Sequence, residues 1–243
     1  PYLWLIPNAF KDYEEIFKVP PTFIPKNPSL DSFLALFGIG YTFHGHVGPW
    51  GLYFYNSTVV SVSTALIATF LSLFAGYAIA RFRLRLEYPF LLMILIAPMF
   101  SGPCLFVPIF LIMVRLGLNN SLLGLIVLYT SLLAPFLTWA STVTFRQFPK
   151  DFEESARVDG CSTLSALFRV VFPMMKITLF TFFIFAFLLA WSEFPFAMLL
   201  LSRQPLYTTT IGLSWYIREI ANVWNELAAA TILTSLPILV LFI

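Results

Sequence analysis

The chain has 243 residues, of which 59% are hydrophobic and 11% charged, with a formal net charge of +2. Soluble domains carry about 25% charged residues, so this is a membrane chain by composition. The Lys and Arg are spread along it rather than clustered, which excludes a nucleic-acid interface. The two cysteines, Cys104 in an apolar run and Cys161 in a charged segment, fall in different compartments and predict no disulfide.

The apolar run 2–10 ends at Lys11 and reads as the end of a helix that starts before residue 1. Residues 11–50 hold Pro20, Pro21, Pro25 and Pro28 and read as an ordered extracellular loop. His44 and His46 lie in it as H-G-H. With no Cys, Asp or Glu beside them they read as loop polarity rather than as metal ligands; no metal site is expected. The first complete span is 52–80, closed by Arg81, Arg83 and Arg85. Three arginines in a short connection place it on the cytoplasmic side. A second span, 88–114, carries Pro98, Pro103 and Pro108 and is expected to be kinked. After an outer turn at 115–121, a third span over 122–145 returns inward with Pro135 in it. A fourth, 177–201, goes out, and residues 202–226 form an outer amphiphilic stretch with Trp215, Tyr216 and Trp224 suited to an interface. The run 227–243 heads inward and is still apolar where the sequence stops. This topology puts eight of the fourteen Lys and Arg inside.

Between the third and fourth spans, residues 146–176 are charged and cytoplasmic. Their centre, D-F-E-E-S-A-R-V-D-G-C-S-T-L-S-A-L-F-R-V-V-F-P, is patterned as helix, glycine, helix. Gly160 ends the first helix and Ser162 can cap the second. Leu164, Leu167, Phe168 and Val171 then fall at i, i+3, i+4 and i+7, one apolar stripe. The segment is too short and too charged to cross a bilayer. Its stripe lies on the membrane surface, packs on its own bundle, or docks a soluble partner.

The third and fourth spans carry hydroxyl and aromatic residues, among them Tyr129, Thr130, Trp139, Thr142 and Trp191. These join helices to each other or bind a hydroxyl-rich solute. Glu193 is read as the one acid within a span, which makes it a solute, proton or gate contact, or a structural cap. No G-x-x-x-x-G-K-[ST] occurs, so the chain has no nucleotide cradle of the usual kind. No Ser–His–Asp set or H-E-x-x-H gives it a catalytic centre either.

The segment from Glu153 onward resembles the cytoplasmic signature of permease subunits of binding-protein-dependent ABC importers. That signature is Glu-Ala-Ala, three residues, Gly, and a later apolar residue before Pro. Here it reads Glu154-Ser155-Ala156, Arg157-Val158-Asp159, Gly160, and then Val171-Phe172-Pro173. Ser155 stands where alanine is usual and Phe172 where leucine is usual. Lys11–Phe33, Ala75–Phe82 and Trp191–Phe194 are similar to the carbohydrate branch, nearest to the second permease of maltose-type importers. The resemblance implies an all-α polytopic bundle of about six transmembrane helices, the first and last incomplete here, forming one domain over 1–243. It implies four kinds of partner: a second homologous permease, a dimer of cytoplasmic ATPases, an extracellular solute-binding protein and membrane lipid. ATP and Mg belong to the ATPase, so the chain itself is expected to hold no cofactor and to be no enzyme. The residues it points to for ATPase coupling are Glu153, Glu154, Ser155, Ala156, Asp159, Gly160, Leu164, Leu167 and Phe168. Tyr129, Trp139, Trp191 and Glu193, read from the spans themselves, are the candidates for the translocation path. The competing readings are a secondary transporter or channel, which would need an intramembrane coupling site; an ABC permease for a non-sugar solute; and a membrane anchor, which would not need proline-broken spans.

Overall fold

A computed structural model describes residues 2–39, 49–82, 87–96, 102–218 and 224–242. All regular structure among them is helical. Among the described residues, three helices are long and apolar enough to cross a membrane: α4 (Trp50–Arg81), α7 (Leu122–Gln147) and α14 (Trp224–Phe242). A fourth span forms if two pieces bent by 79°, Thr163–Met174 and Lys176–Ser192, are taken together. The shorter helices are α1 (Tyr2–Ala9), α2 (Tyr13–Ile16), α3 (Asp31–Leu36), α5 (Glu87–Ile96), α6 (Gly102–Arg115), α8 (Asp151–Val158), α9 (Thr163–Ala166), α10 (Phe172–Met174), α11 (Lys176–Ser192), α12 (Pro195–Leu200) and α13 (Thr209–Arg218). Packing divides the chain into two units. The first holds residues 1–59, 113–122 and 191–243, and the second 60–112 and 123–190.

Two expected spans are built differently. The kinked span 88–114 is two helices, α5 and α6, with 97–101 and Pro98 outside the described residues. Pro103 sits in the first turn of α6, where its missing N–H costs nothing. The span 177–201 is α11 followed by α12, broken at Glu193 and Phe194. Pro195 opens α12, and Glu193 caps it. Its Oε1 accepts from the Phe196 amide at 2.8 Å and its Oε2 from the Ala197 amide at 3.0 Å. These are two of the donors that a helix start leaves orphaned. The last helix begins three residues earlier than the apolar run suggests. Glu226 is therefore in the first turn of α14 and only 5% exposed, so Glu193 is not the single acid of the spans.

In the first unit the core gathers Ala9, Leu36, Trp50, Tyr53, Tyr216 and the alanines Ala228–Ala230. Gly212 permits this: a Cβ there would lie 2.7 Å from the Tyr53 ring. The stretch before α13 holds one 3₁₀ turn, Gln204–Leu206, and side chains of α4 bond its backbone. Asn56 donates to the carbonyls of Pro205 and Tyr207, and Ser57 Oγ accepts from the Thr209 amide at 2.9 Å. Within the expected loop 11–50, side-chain bonds tie residues 11–29 together, and 40–48 lie outside the described residues. Glu15 accepts from Thr22 Oγ1 at 2.8 Å and from the Lys26 amide at 3.0 Å, while Lys11 donates to Asn8 and to the Thr22 carbonyl. The Thr22 hydrogen bond, with the Lys26 amide and nearby lysines, holds the Glu15 carboxyl below the usual range. His44 and His46 lie outside the described residues.

In the second unit α4 and α7 touch backbone to backbone. Ser141 Oγ donates to the Ser72 carbonyl at 2.6 Å, and Ser72 Oγ donates to the Ala134 carbonyl at 3.1 Å. Gly76 makes this approach possible, because a Cβ there would fall 1.9 Å from Ser141 Oγ and 2.9 Å from the Thr142 amide nitrogen. Small residues at such crossings are what apolar surroundings select, since lipid offers helices no hydrophobic gain on association. Gly76→Val is therefore expected to destabilise the protein by about 1–3 kcal/mol or more, the usual cost of overpacking. A lowered thermal midpoint in detergent checks this, and an unchanged midpoint would refute the close crossing.

Candidate functional site

The charged segment 146–176 lies wholly within the second unit. Helix α8 carries Asp151, Glu153 and Glu154 in its first turn and Arg157 in its last, in accord with the helix dipole. It ends as the sequence predicts. Gly160 has φ of 87°, its amide reaches the Arg157 carbonyl, and the Cys161 amide reaches the Ala156 carbonyl, both at 3.0 Å. These bonds form the left-handed glycine cap that closes many helices. A side chain at 160 would meet open space, so only backbone conformation selects glycine there. Ser162 then caps α9, its Oγ accepting from the Ser165 amide at 3.3 Å.

The second half departs from the expected single helix. Residues Leu167–Val171 form a π turn, with the Phe172 amide bonded to the Leu167 carbonyl. It lies directly before Pro173, whose ring crowds the carbonyl four residues back, that of Arg169. A wide turn relieves this crowding and advances fewer degrees per residue. The predicted stripe is split between two faces. Leu167 (1% exposed) and Val171 (fully buried) enter the unit's own core with Leu73, Tyr77, Phe145 and Met175. Leu164 (61%) and Phe168 (45%) remain at the surface. Phe168 leans on Phe172 and Phe74, with ring centroids 5.1 and 5.9 Å away.

The coupling candidates are therefore sorted into two sets. Glu154, Ser155, Asp159, Gly160, Leu164 and Phe168 are exposed, with Val158 fully open beside them. Ala156, Leu167 and Glu153 face inward. Glu153 is 2% exposed and makes a closed set of bonds. Tyr77 OH donates to its Oε2 at 2.9 Å. Arg81 Nε and Nη2 donate to its Oε1 at 2.8 and 2.6 Å. Arg81 Nη2 also holds the Phe148 carbonyl at 3.0 Å. Sequence reasoning missed Tyr77 and Arg81 as partners. Their signal is a four-residue spacing at the end of a span, which sets both on one helix face.

The translocation candidates fall in different units. Tyr129 is buried within the second, and Trp139 is half-buried there against Phe136. Trp191 is buried in the first, edge-on to Phe54, with its Nε1 donating to the Thr234 carbonyl at 3.0 Å. Glu193 is engaged in the cap described above. Among the described residues no group of three His, Cys, Asp or Glu could hold a metal.

Residues 68–243 match the family described as the binding-protein-dependent transport system inner membrane component. The sulfoquinovosyl glycerol transport system permease protein SmoH of Agrobacterium fabrum is 32% identical over 243 residues, covering 100% of this chain and 82% of that protein. The diacetylchitobiose uptake system permease protein DasC of Streptomyces coelicolor is 28% identical over 247 residues, covering 100% and 85%. In fold, the chain matches a crystal structure of a bacterial ABC transporter involved in import of the acidic polysaccharide alginate. The TM-score is 0.80 at 21% identity, over 100% of this chain and 87% of that one. The apolar helices agree with these likenesses, and the chain is a multi-pass membrane protein that belongs to the binding-protein-dependent transport system inner membrane component family.

Proposed function

We propose that this permease subunit forms part of the path by which a sugar or oligosaccharide is imported. A second permease pairs with it, an extracellular binding protein delivers the solute, and a cytoplasmic ATPase dimer supplies ATP hydrolysis. The observation that carries the reading is the exposed face of residues 151–168. It joins a rigid glycine-capped turn to an outward carboxylate, Glu154, and outward apolar side chains, Leu164 and Phe168. A helix that presents such a face fits a groove in a soluble partner. The carbohydrate assignment is supported by the relatives, whose named solutes are a sugar glycerol and a chitin disaccharide. Tyr129, Trp139, Trp191 and Glu193 remain path candidates in this proposal. The structure gives Glu193 and Trp191 structural bonds as well, so changes there affect folding along with transport.

In the proposed docking mode Glu154 gives a directional, charge-assisted contact and Phe168 an apolar anchor. Truncating an anchor in a packed pocket costs about 2 kcal/mol of binding, more than tenfold. Glu154→Ala and Phe168→Ala are each expected to lower the amount of ATPase that co-purifies with the permease. Leu167→Ala should act on the fold instead, at about 2–5 kcal/mol, because that side chain fills the unit's core. Full ATPase recovery with Glu154→Ala and Phe168→Ala combined would refute the docking face.

Gly160→Leu places a branched side chain in a left-handed conformation, at a cost of about 1–2 kcal/mol. Because the space around it is open, the protein is expected to fold and assemble with the turn misaligned. Stimulation of ATP hydrolysis by loaded binding protein should fall. Stimulation at the wild-type level would remove this role from the glycine.

A further inference from the structure

We propose that Glu153 is a positioning residue, an inward latch that makes the coupling segment and α4 move as one body, and that it is no contact of the ATPase. The proposal rests on the reading of 151–168 as the docking segment and deepens it. Two adjacent acids divide the work. Glu154 points to solvent, whereas both oxygens of Glu153 are spent on Tyr77 and Arg81. With its side chain 2% exposed, Glu153 presents almost no surface to a partner.

The geometry suits a latch. Tyr77 and Arg81 stand one turn apart on α4, so the carboxylate is gripped at two points along the helix axis and resists both sliding and rotation. Arg81 adds the Phe148 carbonyl, which ties the end of α7 to the same point. Helix α4 runs 32 residues without a break, about 48 Å, so it is a stiff lever. An apolar contact at this point would stabilise the fold as well or better, since a buried ion pair gains little net stability. What the pair adds is direction. Removing one partner leaves a buried charge uncompensated, so the joint holds in one arrangement and fails in others.

The test uses the assembled complex in lipid nanodiscs, in a Cys104→Ser and Cys161→Ser background, with a spin label at Leu71→Cys on the exposed side of α4. The probe is Mg-ATP with vanadate, and the readout is the change in label spectrum on trapping. Glu153→Gln is expected to keep wild-type ATPase co-purification while the spectral change falls at least about fivefold, the low end of ordinary coupling between sites. The exchange Arg81→Glu with Glu153→Arg should restore the change to within about twofold of wild type, and a merely structural role would not show this rescue. A spectral change of wild-type size in Glu153→Gln overturns the latch. So does loss of ATPase of the kind expected for Glu154→Ala, or an assembled exchange variant without recovery. If Glu153→Gln does not assemble, Tyr77→Phe keeps the ion pair and should lose at least about half of the change; a full change there also overturns it. If the wild-type permease carries no ATPase, the docking reading fails separately. Amide exchange over Asp151–Val158 in the permease alone then decides the latch. A rise of at least about tenfold in Glu153→Gln supports it, and unchanged exchange overturns it.

Discussion

Apolar surroundings leave backbone polar groups nothing to bond but the protein itself. Among the described residues, breaks between helices are met by side chains that supply the missing partners. Where the span after α11 breaks, the Glu193 carboxylate takes the amides of Phe196 and Ala197, so α12 can start. Before α13, Asn56 and Ser57 supply backbone partners. Ser and Thr along α7 bond back to carbonyls of their own helix, as Thr138 does to Ala134 and Thr142 to Thr138. Thr142, which looked available to a solute, is spent on its helix in this way, whereas the buried Thr130 Oγ1 has no hydrogen-bond partner among the described residues.

The charged segment 146–176, read as cytoplasmic, also closes its backbone locally. Its backbone is closed at each joint by a named device: the Gly160 turn, the Ser162 cap and the π turn before Pro173. Once the backbone is satisfied, side chains are free to divide between two faces. Leu167, Val171 and Glu153 bind the segment to its own unit, while Glu154, Leu164 and Phe168 stay outward. A segment both firmly held and openly displayed can pass a force from one side to the other.

Much of this was legible in the residues. The long spans, the glycine turn and the Ser162 cap each rest on local rules: apolar run length, φ above zero, and a hydroxyl before a helix. The second half of the coupling segment was not legible. Periodicity groups Leu164, Leu167, Phe168 and Val171 on one apolar face but does not say which edge of that face the unit's own core covers; the core takes Leu167 and Val171 and leaves Leu164 and Phe168 outside. Glu153 was misplaced for a related reason. Sequence cannot say which of two neighbouring acids faces in, and that choice is made by Tyr77 and Arg81, more than seventy positions away. The broken span at Glu193 followed from treating an apolar run as one helix although Pro195 lay inside it.

The central claim is that the outward face of residues 151–168 is a cytoplasmic dock for an ATPase. Photocrosslinking tests it most directly. A benzophenone attached at Leu164→Cys, in the Cys104→Ser and Cys161→Ser background, samples whatever lies against that face in the assembled complex. The expected result is an adduct of this chain with the ATPase, lost when Phe168→Ala is added. An intact complex that yields only lipid adducts at this position would contradict the account.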